Sequence, residues 1–248
     1  MHVPVILAAL GASTLVPYII LRSKKQTYRA IFLKISISLM FLLATLSFLL
    51  IFQHQTYMLG RFLPLIVGIL AGQIMGLCGD FWLDLKDIHP EQHDPYVFSG
   101  FSSFLIGHIA FIGGMSMVYD TFQNLVNLLI ALGAGVLLAG GVLLTEKPMK
   151  LQYGKFKTIT AGYSFVFGFV IATAFLSALA NSASGKLLVA QPQAFVMGIG
   201  LVLFLLSDLV LSGTFFGKGK DRAIDYTLNY IFYFGAQFTI SLSLLWLV

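Results

Sequence analysis

Long, uninterrupted apolar runs leave this chain very few folds. The hydrocarbon core of a bilayer is ~30 Å thick and takes about 20 helical residues to cross. Runs of that order recur along the whole sequence: Val3–Leu21, Ile31–Phe52, Phe62–Leu83, Val97–Tyr119, Leu125–Leu144, Ile159–Ala180, Ala194–Phe215 and Asn229–Val248. Strands of a membrane barrel would alternate apolar and polar residues, and these runs are apolar throughout. Charged residues make up 10% of the chain and hydrophobic ones 58%, against roughly 25% charged in a soluble domain. A charged, water-facing shell cannot be built from that supply. The expected fold is all-α: a polytopic transmembrane bundle of about eight helices, forming a single transmembrane domain over residues 1–248.

The segments between runs are too short for a folded aqueous domain, and no internal repeat of the inverted-transporter kind is visible. Met1 and His2 offer no basic leader, and Arg22, Lys24 and Lys25 follow the first run, so that run is expected to stay as a helix. Loops after odd-numbered helices carry Arg22, Lys24, Lys25, Arg29, Lys86, Lys147, Lys150, Lys155, Lys157, Lys218, Lys220 and Arg222; loops after even-numbered helices carry Arg61 and Lys186. This asymmetry places both chain ends on the non-cytoplasmic side. It also accounts for the basic excess by topology, so nucleic acid is not an expected partner. Cys78 is the only cysteine, which rules out an internal disulfide.

Glycines recur at packing intervals, Gly68, Gly72 and Gly76 on the third helix and Gly133, Gly135, Gly140 and Gly141 on the fifth. Small residues let membrane helices approach closely, and that is their expected use.

Ionisable groups inside spans are costly and usually face a cavity. Asp80 falls late in the third helix, Asp208 late in the seventh, Lys34 a turn into the second and His108 midway along the fourth. Tyr163 opens the sixth. On the eighth, Tyr226, Tyr230, Tyr233 and Gln237 fall near i, i+4, i+7 and i+11, hence on one face. With alternate helices running in opposite directions, these groups gather in the cytoplasmic half, His108 lying deeper. They can form the floor and wall of a polar pocket. Taken one at a time each has a plainer reading: an aspartate meeting interfacial water, a snorkelling lysine, a core histidine, an aromatic belt.

The stretch from Asp84 to Asp94 is the most acidic, and reads as a solvated loop. His89, His93 and Asp94 lack an obvious third strong ligand, so neither a metal there nor an intramembrane zinc site is expected, and no cofactor is. Nucleotide-binding motifs and a nucleophile elbow around Ser102 and Ser103 are absent.

Taken in order, these residues resemble the YhhN-type family of multi-pass membrane proteins, the lysoplasmalogenases. Gly79-Asp80-Phe81-Trp82-Leu83 matches that family's G-D-x-x-L at the end of helix three; Phe98, Gly100, Phe104 and His108 match its helix-four pattern. Tyr163 matches the tyrosine opening helix six. Gly200, Phe204, Ser207, Asp208 and Leu211 match G-x-x-x-F-x-x-S-D-x-x-L, and Tyr233, Ala236 and Gln237 match the closing Y-x-x-A-Q. Two positions depart: Ile35 follows Lys34 where the family often has proline, and Phe111 stands where it often has tyrosine. The resemblance implies hydrolysis of the vinyl ether bond of lysoplasmalogens, lysophospholipids taken from the bilayer, to a fatty aldehyde and glycerophosphocholine or glycerophosphoethanolamine. It implies Asp80 and Asp208 as the catalytic pair.

Such chemistry needs an acid, a nearby negative charge and one water. Two carboxylates in a low-dielectric site share one proton and meet all of these needs; which plays which part is open. Lys34, Phe104, His108, Tyr163, Ser207, Tyr230, Tyr233 and Gln237 are the expected positioning or substrate-binding residues. Two other classes compete: a transporter or lipid-binding protein using the same polar cavity, and a metal-dependent, ceramidase-like lipid hydrolase.

Overall fold

A computed structural model describes residues 2–24, 26–181, 187–217 and 222–247. Met1, Lys25, Lys186, Lys218 and Lys220, and the end of the last expected span at Val248, lie outside these residues. Eight long helices account for nearly all of the rest: α1 (His2–Ser23), α2 (Thr27–Phe52), α3 (Thr56–Ile88), α4 (His93–Tyr119), α5 (Leu125–Leu144), α6 (Lys157–Ala178), α7 (Pro192–Phe216) and α8 (Ala223–Leu242), with a 3₁₀ extension over Ser243–Leu247. All eight are long and apolar enough to cross a membrane. Helices answer the demand of the hydrocarbon phase that every backbone amide be satisfied within its own segment. Between α6 and α7 a short antiparallel ladder pairs β1 (Leu179–Asn181) with β2 (Leu187–Val189), Leu179 opposite Val189.

Neighbour relations close into a ring. In order, α1 packs on α2, α2 on α3, α3 on α4, α4 on α6, α6 on α7, α7 on α8 and α8 back on α1. The fifth helix stands outside this ring and packs on α6. It is the least buried of the eight.

The α3–α4 seam shows why the third helix needs glycines. A Cβ on Gly68 would stand 2.8 Å from the carbonyl oxygen of Ala110 and 2.8 Å from the Cα of Gly114. One on Gly72 would meet the Phe111 ring at 2.2 Å. Backbones this close leave no room for a side chain. On α5 the expectation holds only at Gly135, which faces the Phe165 backbone; Gly133, Gly140 and Gly141 have nothing near them. Their side of α5 points away from the ring, so packing does not explain them.

Inside the ring α2, α3 and α8 are tied by a buried polar knot. Thr45 Oγ1 donates to Gln73 Oε1 (2.9 Å), and the Gln73 amide donates to Ser241 Oγ (2.7 Å). Buried polar atoms satisfied in this way resist sliding of one helix past another.

Hydropathy predicted the cores of the helices and missed several ends. The third helix begins at Thr56 and runs to Ile88, the fourth begins at His93 and the eighth at Ala223. The acidic stretch after Leu83, expected as a loop, is therefore helical as far as Ile88. Hydropathy marks the part of a helix that lies in hydrocarbon, whereas the hydrogen-bonded ladder continues into the headgroups.

Candidate active site

The last turns of α3 carry the centre of the site. Asp80 and Asp84 are separated by four residues and so share one helix face; both are buried. The Lys34 ammonium, on α2, bridges them, with Nζ 3.1 Å from Asp80 Oδ1 and 3.2 Å from Asp84 Oδ2. Lys34 is 6% exposed, so it is an internal ion-pair partner rather than a snorkelling side chain. From the last turn of α1, the Arg22 guanidinium lies 3.8 Å from Asp84 Oδ1 and pairs with Asp87. Lys86 shares Asp87 (2.7 Å) and lies over the Phe215 ring, 4.5 Å from its centroid. Charges thus alternate from the end of α1 into the bundle: Arg22, Asp84, Lys34, Asp80.

The Tyr233 hydroxyl, on α8, lines the same cleft as Asp80, and among the described residues Asp80 Oδ2 has no hydrogen-bond partner. Behind Tyr233 the Gln237 amide approaches its hydroxyl at 3.5 Å.

The second aspartate has different company. The Tyr163 hydroxyl donates to Asp208 Oδ2 at 2.5 Å, joining α6 to α7. One residue earlier, Ser207 is held by Asn229, whose amide donates to the serine carbonyl (3.0 Å) and to Oγ (2.9 Å). Phe104 packs edge-on against Phe204 and Tyr233.

Two clefts meet at Asp208. The first is polar and takes in Arg22, Lys34, Asp80, Asp84, Lys86, Ser207, Asn229, Tyr230 and Tyr233; it encloses about 650 Å³, open mouth included. The second is mostly apolar, bounded by Phe101, Tyr163, Phe167, Leu205, Leu209 and Phe216 among others, and encloses about 610 Å³ by the same measure. Leu83, Phe104, Asp208, Leu211 and Phe215 line both. The two aspartates, distant in sequence, border one cavity at the end of the bundle that carries the basic loops.

Most of the side chains expected in the site are at or beside it. Lys34, Phe104, Ser207, Tyr230 and Tyr233 line the polar cleft, and Tyr163 lines the apolar one. Gln237 lies a layer deeper. His108 lies outside the residues lining either cleft. Its Nδ1–H donates to the Phe104 carbonyl at 2.6 Å, and its ring packs on Phe167 (4.3 Å between centroids) and Tyr163 (5.5 Å). It buttresses Tyr163 and reaches no cleft directly. Phe111, the departure from the family tyrosine, packs edge-on against that imidazole at 5.9 Å.

Sequence reasoning missed Asp84, Arg22, Lys86 and Asn229. Asp84 lies in the stretch whose sequence reads as a solvated loop, yet it is 4% exposed. Its four-residue spacing from Asp80 was the available signal, had α3 been extended by one turn. Beyond Ile88 the acidic stretch is exterior: His93 meets Asp94 (3.1 Å), which also pairs with Lys155, and His89 meets Glu91 (3.3 Å). Among the described residues no group of three or more His, Cys, Asp or Glu is arranged to hold a metal ion.

No curated protein and no solved structure matches the chain. The YhhN family model matches residues 29–244. That span runs from the start of α2 into the 3₁₀ extension of α8 and contains every residue named in the two clefts except Arg22. The chain belongs to the YhhN family.

Proposed function

We propose that this chain is a membrane hydrolase that cleaves the vinyl ether bond of lysoplasmalogens, releasing a fatty aldehyde and a glycerophospho-base. One observation carries the reading: Asp80 and Asp208 border a single cavity with unlike partners, an ammonium on Asp80 and a phenol on Asp208.

Unlike partners suit the two parts that the reaction requires. In the proposed sequence Asp208 is the acid. Tyr163 engages Oδ2, and Oδ1 carries the proton delivered to the β-carbon of the vinyl ether. The C=C pair forms the new C–H bond, and the ether oxygen shares the charge left on the α-carbon. Asp80, held as a carboxylate by Lys34, stabilises that oxocarbenium and takes a proton from the water that adds to it. Asp80 then gives that proton to the ether oxygen as the hemiacetal C–O bond breaks, and Asp208 takes the hemiacetal's hydroxyl proton, giving aldehyde and the glycerol hydroxyl with both carboxyl groups restored. One water is consumed and no electrons leave the system. General acid–base assistance of this kind is worth roughly 10²–10⁴-fold. His108 holds Tyr163 in place from behind, Ser207, Tyr230 and Tyr233 shape the wall facing the headgroup, and Gln237 backs Tyr233.

The polar cleft lies at the end of the bundle where basic loop residues gather, so the positive-inside rule puts it in the cytoplasmic leaflet with both chain ends opposite.

Purified protein in detergent is offered a lysoplasmalogen and the ester-linked lysolipid with the same headgroup, with and without a chelator. The reading expects aldehyde from the vinyl ether alone, unchanged by chelator. Metal-sensitive release of fatty acid from the ester would replace it with a metal-dependent lipid hydrolase. Binding of either lipid without any product would favour a lipid-binding or transport role.

A further inference from the structure

Asp208 stands at the junction of two compartments of opposite character, and the chemistry above draws on the apolar one only through Tyr163. The apolar compartment begins inside the ring at Leu83 and Phe104 and passes Phe167 and Leu205. It ends at Val142 on α5 and at Leu209 and Ser212 on α7. Leu209 is 39% exposed, on the lipid-facing surface. The fifth helix packs on α6 and forms no substantial interface with α7. Its lining thus runs from residues inside the ring to the exposed Leu209, on the side where α5 and α7 flank α6.

We propose that this α5–α7 opening is the lateral port through which a single hydrocarbon chain enters from the leaflet, and that the apolar compartment holds that chain while the polar end of the same molecule occupies the neighbouring cleft. The inference rests on the reading of the site as one that acts on an amphiphilic lipid, and adds where the chain lies and how it arrives. Continuity argues for this occupant. The two compartments share five lining residues, so one molecule with a charged end and an apolar end fills both and leaves its joining bond beside Asp208. Fixed polar groups on one side and hydrocarbon walls on the other orient such a ligand in one sense only. A second apolar groove, between α1 and α8, is lined by Val5, Ala12, Ile231 and Phe238 among others. It shares no residue with the polar cleft and offers the chain no such continuity.

The test uses an ester-linked lysophosphatidylcholine bearing a diazirine at the end of its chain, photolysed with the intact protein in detergent micelles, the adducts being mapped by mass spectrometry. Adducts are expected on Val142, Phe167 or Leu205. Val142→Trp combined with Ser212→Trp, which narrows the port, should reduce that labelling severalfold. It should also raise KM for long-chain vinyl ether about tenfold, the binding carried by one to two buried methylenes, with a smaller rise for a butyl vinyl ether. Ala12→Trp, in the α1–α8 groove, should alter neither. Labelling confined to Val5, Ala12 or Ile231, or labelling of Phe167 that the double variant leaves intact, would overturn the proposal. Labelling needs no turnover: adducts on Phe167 without aldehyde release would refute the hydrolytic reading and leave the port standing.

Discussion

The Lys34 ammonium stands 3.1 Å from Asp80, with both side chains more than nine-tenths buried. It reaches Asp84 as well, so one cation serves two carboxylates on adjacent turns of α3. A buried pair of this kind adds little net stability, yet removing one partner leaves an uncompensated charge, at about 3–5 kcal/mol.

Lys34→Met should therefore lower both stability and turnover. The expected outcome is a fall of several degrees in thermal midpoint in detergent and at least a tenfold loss of aldehyde release per folded molecule. Lys34→Arg keeps the charge but changes its shape, and should recover the midpoint better than the rate. Thermal unfolding and turnover measured on one preparation check both.

Tyr163 ties its phenol to Asp208 across the α6–α7 seam. A hydrogen bond to an ionisable group is worth about 1.5–3 kcal/mol, which is roughly ten- to a hundredfold in rate if it serves to orient the acid. Tyr163→Phe should lose about that much in kcat with KM within twofold. A variant whose KM rises while kcat holds would make Tyr163 a substrate-binding residue instead.

Glycines on two helices make opposite predictions. Gly68→Val drives a branched side chain into the α4 backbone, and should cut the yield of folded protein severely. Gly140→Ala enters open space, and should be neutral or stabilising by up to about 1 kcal/mol. Size-exclusion profiles after detergent extraction separate these outcomes.

Much of this architecture was legible in the sequence because the bilayer imposes a single strong rule. Apolar run length located all eight helices, and loop charge put Lys34, Asp80, Tyr163, Asp208 and Tyr233 at one depth. The closed ring and the displaced α5 were not legible, since helix neighbours depend on which faces are complementary, and these spans are apolar all round. Asp84 was lost for a different reason: the helix outlasts its hydrophobic run, so a hydropathy boundary cut the α3 face between Asp80 and its neighbour one turn on. Arg22 was read only as a topology signal, because a basic residue that sets orientation and one that pairs within a site look alike in sequence. His108 reads in sequence as a wall of the pocket but packs behind Tyr163, because position along a helix is readable and the direction a side chain faces requires its neighbours.

Aldehyde release by Asp80→Asn and Asp208→Asn, each compared with the unaltered protein on lysoplasmalogen at equal folded concentration, bears most directly on the central claim. Each substitution removes a charge or a proton while keeping side-chain size. Both should reduce turnover at least a hundredfold, the scale of general acid–base assistance, while the elution profile in detergent stays unchanged. Turnover near that of the unaltered protein in either variant would contradict the two-carboxylate account.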